Sequence, residues 1–245
     1  MAFLAPHAPR QPVFHAPSAV LLLIAGLVAA HVARMTVSAE QSLLWINQYA
    51  FIPARYSAAF LSQHGIDDPG SLIDRGLPFV SYMALHNDYT HLIINCLWLL
   101  AFGPIVARRF GTFLFLLFFV VCGVAGAATH LAFNWGSLEP VIGASGAISG
   151  LMAAGIRLLP TQAPVWAANG APANAPLLPI LSRQILLFAL LWAGLNIVLG
   201  ITGLGMPGGA PGLIAWQAHL GGFVAGLFLS GLFDRIRPKP VAALL

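Results

Sequence analysis

Six apolar segments, near residues 18–36, 84–107, 111–133, 141–159, 183–201 and 213–233, limit what this 245-residue chain can fold into. A helix rises 1.5 Å per residue and the hydrocarbon core of a bilayer is about 30 Å thick, so a span takes roughly 20 residues. Five segments meet that length, and the fourth is short and rich in Gly and Ala. Charged residues make up only 7% of the chain, against about 25% in a typical soluble domain. The sequence therefore predicts an all-α polytopic membrane protein, a six-transmembrane-helix bundle with a short central fourth helix.

The basic residues orient it. With six spans and both termini cytoplasmic, Arg10, Arg108, Arg109, Arg157, Arg183, Arg235, Arg237 and Lys239 lie inside, whereas Arg34, Arg55 and Arg75 lie outside. That asymmetry follows the rule that Lys and Arg favour the cytoplasmic side. The acids Glu40, Asp67, Asp68, Asp74, Asp88 and Glu139 all fall outside. The net charge of +4 thus belongs to the cytoplasmic edges. No clustered basic face of the kind nucleic-acid binding needs is present.

The expected organisation is a cytoplasmic tail over 1–17, a membrane domain over 18–235 and a cytoplasmic tail over 236–245. Within the domain, residues 38–80 form a large outer first loop of short amphipathic pieces, with Trp45 and Tyr56 as interfacial anchors. Residues 160–182, rich in Ala, Pro and Asn, read as a cytoplasmic linker. Arg10, the apolar run from Ser18 and Val37-Ser38-Ala39 loosely fit a cleavable signal. The run is longer than such a signal needs, and retaining it gives the consistent charge pattern, so the first helix is expected to stay. Cys96 and Cys122 sit within spans and read as small packing residues.

Polar residues inside a bilayer are rare and usually have a reason. Here they are His91 and Asn95 in the second segment, Ser145 and Ser149 in the fourth, Asn196 in the fifth and His219 in the sixth. Ser145 lies twelve residues before Arg157, about 18 Å along a helix; His219 lies about 24 Å before Arg235 and His91 about 25 Å before Arg108. All three fall in the outer half of the membrane. If the fourth helix starts at Ser145, its N-terminus lies within the bilayer. Val141–Ala144 should then border a water-accessible pocket.

A serine hydroxyl is a weak nucleophile until a base takes its proton, and imidazole suits that task near neutral pH. The spans hold no carboxylate apart from Asp88 and Asp234 at their ends, so the sequence points to a Ser145–His219 dyad. An oxyanion would need donors. The Ser145 N–H at a helix start and the side chains of His91 and Asn95, i and i+4 on one face, are candidates. His86 lies close to the outer surface, at an entrance. Gly146-x-x-x-Gly150 and Gly222-x-x-x-Gly226 are patterns that let helices approach closely in lipid. Each residue also has a plain reading. Alone, Ser145 fits a packing serine, His219 a buried histidine bonded to a carbonyl, and His91 and Asn95 interhelical glue. Ser149 and Asn196 read as glue, and His31, His64 and His130 as surface or span-end residues.

Together these residues resemble the rhomboid family of intramembrane serine proteases. The resemblance rests on His86-x4-His91-x3-Asn95, on Gly143-Ala144-Ser145-Gly146, and on Ala218-His219-x2-Gly222-x3-Gly226. It implies Ser145 as nucleophile, His219 as general base and an oxyanion hole from His91, Asn95 and the Ser145 N–H. Gly143, Gly146, Gly222 and Gly226 would support the site. It also implies transmembrane protein substrates entering beside the second and fifth spans, and no cofactor or metal is expected. The compact six-span form favours the bacterial inner membrane over an organelle as location. The sequence departs at Ser149, where many members carry a Tyr packed on the histidine, and the first loop has Pro53-Ala54-Arg55 where the family has a Trp-Arg pair.

Competing readings are a rhomboid-like pseudoprotease, against which the presence of both Ser145 and His219 argues, and a transporter or channel, which would lack visible repeats. The G-x-S-x-G elbow and the H-E-x-x-H motif are absent. A metal on His86, His91 and His219 is less favoured than the serine chemistry.

Overall fold

The computed structural model describes residues 16–65, 70–159, 176–203 and 214–238. Arg10, Asp67, Asp68, Lys239, most of the 160–182 linker and nearly all of both tails lie outside the described residues. The helices are α1 (Ser18–Thr36), α2 (Ala39–Tyr49), α3 (Ala58–Gln63), α4 (Leu72–Gly76), α5 (Pro78–Ser81), α6 (Tyr89–Phe110), α7 (Thr112–Phe133), α8 (Ser145–Leu158), α9 (Arg183–Thr202) and α10 (Trp216–Ile236). Among the described residues the extended pairing is a single antiparallel bridge, Phe51 with Val141. The chain is an all-α polytopic membrane protein.

By length and composition, α1, α6, α7 and α9 can cross a membrane. Among the other helices, α8 differs for a physical reason. At 14 residues α8 is about 21 Å long, and all of it is buried except Ser145 and Ile156. A helix walled by protein needs no apolar outer face, so Gly, Ala and Ser replace Leu and Phe. One side of α10 is built likewise, with Ala218, Gly221, Gly222 and Gly226 buried, while Val224, Phe228 and Leu232 on its other side are exposed.

The second span starts later than its apolar run. Tyr82–Ala84 form a 3₁₀ turn, and α6 begins only after Asp88, whose carboxylate caps it by accepting the His91 N–H at 2.9 Å. At the other end Gly111 alone links α6 to α7, with φ of 80° that an L side chain rarely adopts.

At the centre, α8 packs against α10, α7 and α6. Here backbones touch. A Cβ at Gly222 would collide with the Gly146 carbonyl oxygen, and one at Gly226 with the backbone of Gly150. Cys122 fills the space beside Gly150 and is a free, fully buried thiol. The aromatic rings of Phe110, Phe118 and Phe233 pack edge-on and tilted at the end of the bundle where α6 meets α7.

Several basic residues read as orientation markers are built into this framework. Arg157 is buried and donates to the carbonyls of Leu178 (3.1 Å) and Leu227 (2.7 Å) and to Ser230 Oγ (2.8 Å). Arg109 pairs with Asp234 at 2.6 and 3.1 Å, joining α6 to α10, and Arg237 pairs with the same carboxylate at 2.8 Å. At the opposite end of the bundle Arg34 is also buried. It donates to the carbonyls of His86 (2.6 Å) and Asn87 (3.1 Å) and to Ser42 Oγ (2.8 Å), fastening α1 to the turn before α6.

The first loop is a string of short capped helices. Ser38 caps α2, Ser57 caps α3, and Ser71 with Asp74 forms a reciprocal box on α4. The Ser71 hydrogen bonds hold the exposed Asp74 carboxyl below its usual range. Tyr56 is not a free interfacial anchor. Its ring stacks on Phe51 at 5.3 Å, and its hydroxyl donates to the Arg75 carbonyl at 2.9 Å.

Gly226→Ala should destabilise the fold by about 1–3 kcal/mol, the usual cost of overpacking, seen as a lower unfolding temperature in detergent. Gly194→Ala on α9, where an added Cβ meets nothing within 4 Å, should leave that temperature unchanged.

Candidate active site

The start of α8 is held by main-chain bonds from the first loop. Phe51 and Val141 exchange N–H···O bonds of 3.1 and 2.8 Å, the Ala54 N–H donates to the Ser137 carbonyl at 2.8 Å, and the Gly143 N–H donates to the Tyr82 carbonyl at 2.9 Å. Val141, Gly143 and Ala144 are thus buried in protein, with both Val141 backbone groups and the Gly143 N–H paired. Tyr82, itself buried, ties this run to α7 by donating its hydroxyl to the Gly123 carbonyl at 2.8 Å.

Gly143 has φ of 118°, and a Cβ there would lie 2.7 Å from His91 Nε2. Only glycine allows both the backbone shape and the approach of that ring. Ala144 precedes the helix and no side chain caps α8. Its first N–H groups, beginning with that of Ser145, are therefore free of side-chain acceptors and carry the partial positive charge of the helix end.

Ser145 and His219 meet. His219 Nε2 lies 2.7 Å from Ser145 Oγ, and Nδ1 lies 2.7 Å from Asn196 Oδ1 on α9. The proton positions follow from the surrounding bonds. Asn196 Nδ2 donates to the Trp192 carbonyl at 2.8 Å, which leaves Oδ1 as the acceptor facing the ring. The proton is then on Nδ1, Nε2 carries a lone pair, and the Ser145 hydroxyl donates to it. A hydroxyl hydrogen-bonded to a neutral imidazole nitrogen can act as a nucleophile.

His91 is fixed in the opposite tautomer. Its Nδ1 accepts the Asn87 N–H at 3.3 Å, so Nε2 is the donor, pointing to Gly143 two residues before Ser145. Asn95 is buried one turn on; its Nδ2 donates to the His91 carbonyl at 2.8 Å, a bond within its own helix, and Oδ1 has no partner.

A model of the rhomboid domain matches residues 74–235, well over half of the chain. The chain belongs to the rhomboid family. No curated protein matches it. The family is one of intramembrane serine proteases that act on membrane proteins in a bilayer, and the match spans every site residue above.

Several expectations change. His86 does not open an entrance. It is fully buried in the turn ahead of α6, packed edge-on against His31 (6.4 Å) and His91 (5.1 Å). His31 is no surface residue either, being buried with its ring 4.7 Å from that of Tyr89. His130 is buried too. Ser149 is not interhelical glue, because its hydroxyl donates to the Ser145 carbonyl of its own helix at 2.7 Å. Asn196 does join helices, and its partner is His219. Sequence reasoning also passed over Tyr82 and Arg34. An arginine near a predicted span end is easily taken for a topology marker; only its buried carbonyl partners reveal a tether.

Burial, with His91 and His31 beside it, pushes the His86 imidazole from its ordinary 6.5 down to about 3. The unfolded chain takes up this proton below about 6.5 while the folded one does not, so stability falls as the pH drops from about 6.5 toward 3. His86→Phe should therefore lose less stability than the wild type between pH 7 and 4, measured by thermal unfolding in detergent.

Proposed function

We propose that this chain is an intramembrane serine endopeptidase that cleaves peptide bonds in or near transmembrane segments of membrane proteins, with Ser145 as nucleophile and His219 as general base. The observation that carries the reading is the 2.7 Å hydrogen bond between Ser145 Oγ and His219 Nε2. Membership of the rhomboid family gives it context.

The chemistry proceeds in two halves. Ser145 Oγ attacks the scissile carbonyl carbon as its proton passes to His219 Nε2. The resulting tetrahedral oxyanion is stabilised by the Ser145 N–H, the His91 Nε2–H and the Asn95 amide. The first two already point to the start of α8, whereas Asn95 must share its amide with the His91 carbonyl or turn away from it. Collapse breaks the C–N bond, and His219 returns its proton to the leaving amine. Water then replaces the amine. His219 takes its proton as the oxygen attacks the acyl-serine, and the second collapse releases the carboxylic acid and restores Ser145. No cofactor or metal enters either half.

The polar groups sit toward the outer ends of α6, α8 and α10, while Arg109, Arg157, Arg235 and Arg237 lie at the other ends. By the positive-inside rule the active site opens to the outer side and both termini are cytoplasmic. The bacterial inner membrane fits this form.

Two comparisons test the reading. With a transmembrane substrate in liposomes, Ser145→Ala should abolish both cleavage and fluorophosphonate labelling, and folded His219→Ala should abolish cleavage. Cleavage surviving in Ser145→Ala would sink the mechanism. His91→Ala should lower kcat by roughly 10²- to 10³-fold, the usual loss of one oxyanion donor, with KM little changed.

A further inference from the structure

We propose that Asn196 on α9 is the positioning residue of this site: it holds His219 in the Nδ1–H tautomer and thereby couples α9 to the Ser145–His219 pair. The inference rests on the proteolytic reading above for its kinetic consequence, but not for its geometry.

A serine and histidine at hydrogen-bond distance are not yet a working pair. Neutral imidazole exists in two tautomers, and only the one protonated on Nδ1 presents a lone pair on Nε2. Something must bond Nδ1 and fix the ring plane. Carboxylates do this in many hydrolases. Among the described residues no carboxylate bonds His219; the acid of α10, Asp234, is engaged by Arg109 and Arg237. From α8 no orienting group comes either, because the Ser149 hydroxyl is spent on its own helix.

Asn196 fills that position, and it is itself held. Trp192, one turn earlier on α9, fixes the amide through its carbonyl, so Oδ1 must face the ring. The indole of Trp192 stacks on Phe223 with centroids 4.4 Å apart and 16° between planes. Phe223 is one turn after His219 on α10. The i, i+4 pair Trp192 and Asn196 thus grips the i, i+4 pair Phe223 and His219, one contact by stacking and one by hydrogen bond.

The rest of α9 is loosely attached, with only Ile185 and Gly200 buried along its 20 residues. Elsewhere α9 meets α10 through apolar contacts, Phe188 on Phe223 and Gly200 on Trp216, and the 192–196 turn adds the hydrogen bond to the catalytic histidine. Movement of α9 away from α10 by more than about an ångström breaks a bond of normal length and frees the ring. Substrate that enters beside α9 must leave this turn seated for chemistry to proceed.

The test compares wild type, Asn196→Leu, which keeps the size and removes the acceptor, and Asn196→Asp, which keeps an acceptor. The readouts are kcat and KM on a transmembrane substrate, the rate of fluorophosphonate labelling of Ser145, and the unfolding temperature. Asn196→Leu should lower kcat and the labelling rate together by about 10- to 100-fold, the size of loss seen when the group orienting a metal-bound imidazole is removed, with KM and unfolding temperature close to wild type. Asn196→Asp should recover most of that loss. A purely structural role predicts instead that both variants fall in step with unfolding temperature; that result, or kcat within about twofold of wild type in Asn196→Leu, overturns the proposal.

Nitrogen-15 spectra of the wild-type imidazoles, with His219 assigned by comparison with His219→Gln, need no activity and no altered Asn196. An Nδ1–H tautomer at neutral pH is expected, and an Nε2–H tautomer overturns the proposal even if Asn196→Leu fails to fold. Loss of proteolysis as a function would show separately, as cleavage persisting in Ser145→Ala.

Discussion

Everything at this site depends on two helix backbones that touch. The carbonyl of Gly146 lies where a side chain on Gly222 would have to go, and Gly150 does the same to Gly226. Ser145 is the residue before Gly146, and His219 is one turn before Gly222. The register of the glycine contact is therefore also the register of the Ser145–His219 hydrogen bond. Lipid tails are as apolar as leucine and supply little drive for helices to associate, so close van der Waals packing has to hold them. A methyl group at Gly222 would have to push α10 away from α8, and a bond of 2.7 Å does not survive much displacement.

Such packing explains why α8, the helix that carries Ser145, is short and small-sided. A lipid-facing helix needs large apolar side chains all round, whereas a helix enclosed by protein can be short and small-sided. That shortness leaves the N-terminus of α8, with its uncapped N–H groups, inside the bundle. Peptide groups cannot be left bare there. The first loop answers with backbone bonds from Phe51, Ala54 and Tyr82 to the run that precedes Ser145. In turn the loop is fixed to the bundle by Tyr82 on α7, and Arg34 fastens α1 to the turn that carries His86. The loop and the buried cation are thus part of how a broken backbone is kept in hydrocarbon.

What the sequence revealed and what it hid follow the same division. Apolar length located α1, α7 and α9 to within a residue, because lipid contact is a property of each helix alone. The start of α6 was set too early because apolar residues continue through Tyr82–Leu85, where the chain turns, and only the Asp88 cap marks the helix. The glycine patterns and the residues beside them are local, and they carried the family resemblance. Contacts that need three dimensions were invisible. Nothing in the spacing says that Asn196, 23 residues before His219, faces its ring, or that His31 and His86 pack together under the turn before α6. An asparagine in an apolar helix reads as glue until its partner is known.

Choosing asparagine over a carboxylate at that point has a physical logic in a membrane. An ionised acid inside the bundle costs several kcal/mol to desolvate, and a neutral imidazole beside it returns little of that until the ring is protonated. Asn196 carries no charge, so it fixes the ring and its tautomer without that cost in the resting state. In exchange it stabilises the imidazolium of the transition state less than a carboxylate would. The arrangement therefore favours orientation over charge stabilisation. Because the orienting amide sits on the loosely attached helix rather than on α8 or α10, the geometry of the base depends on where α9 lies. A hydroxyl at position 149 turned onto its own backbone provides no substitute, which leaves Asn196 as the group that bonds Nδ1 of His219, opposite the Ser145 bond to Nε2.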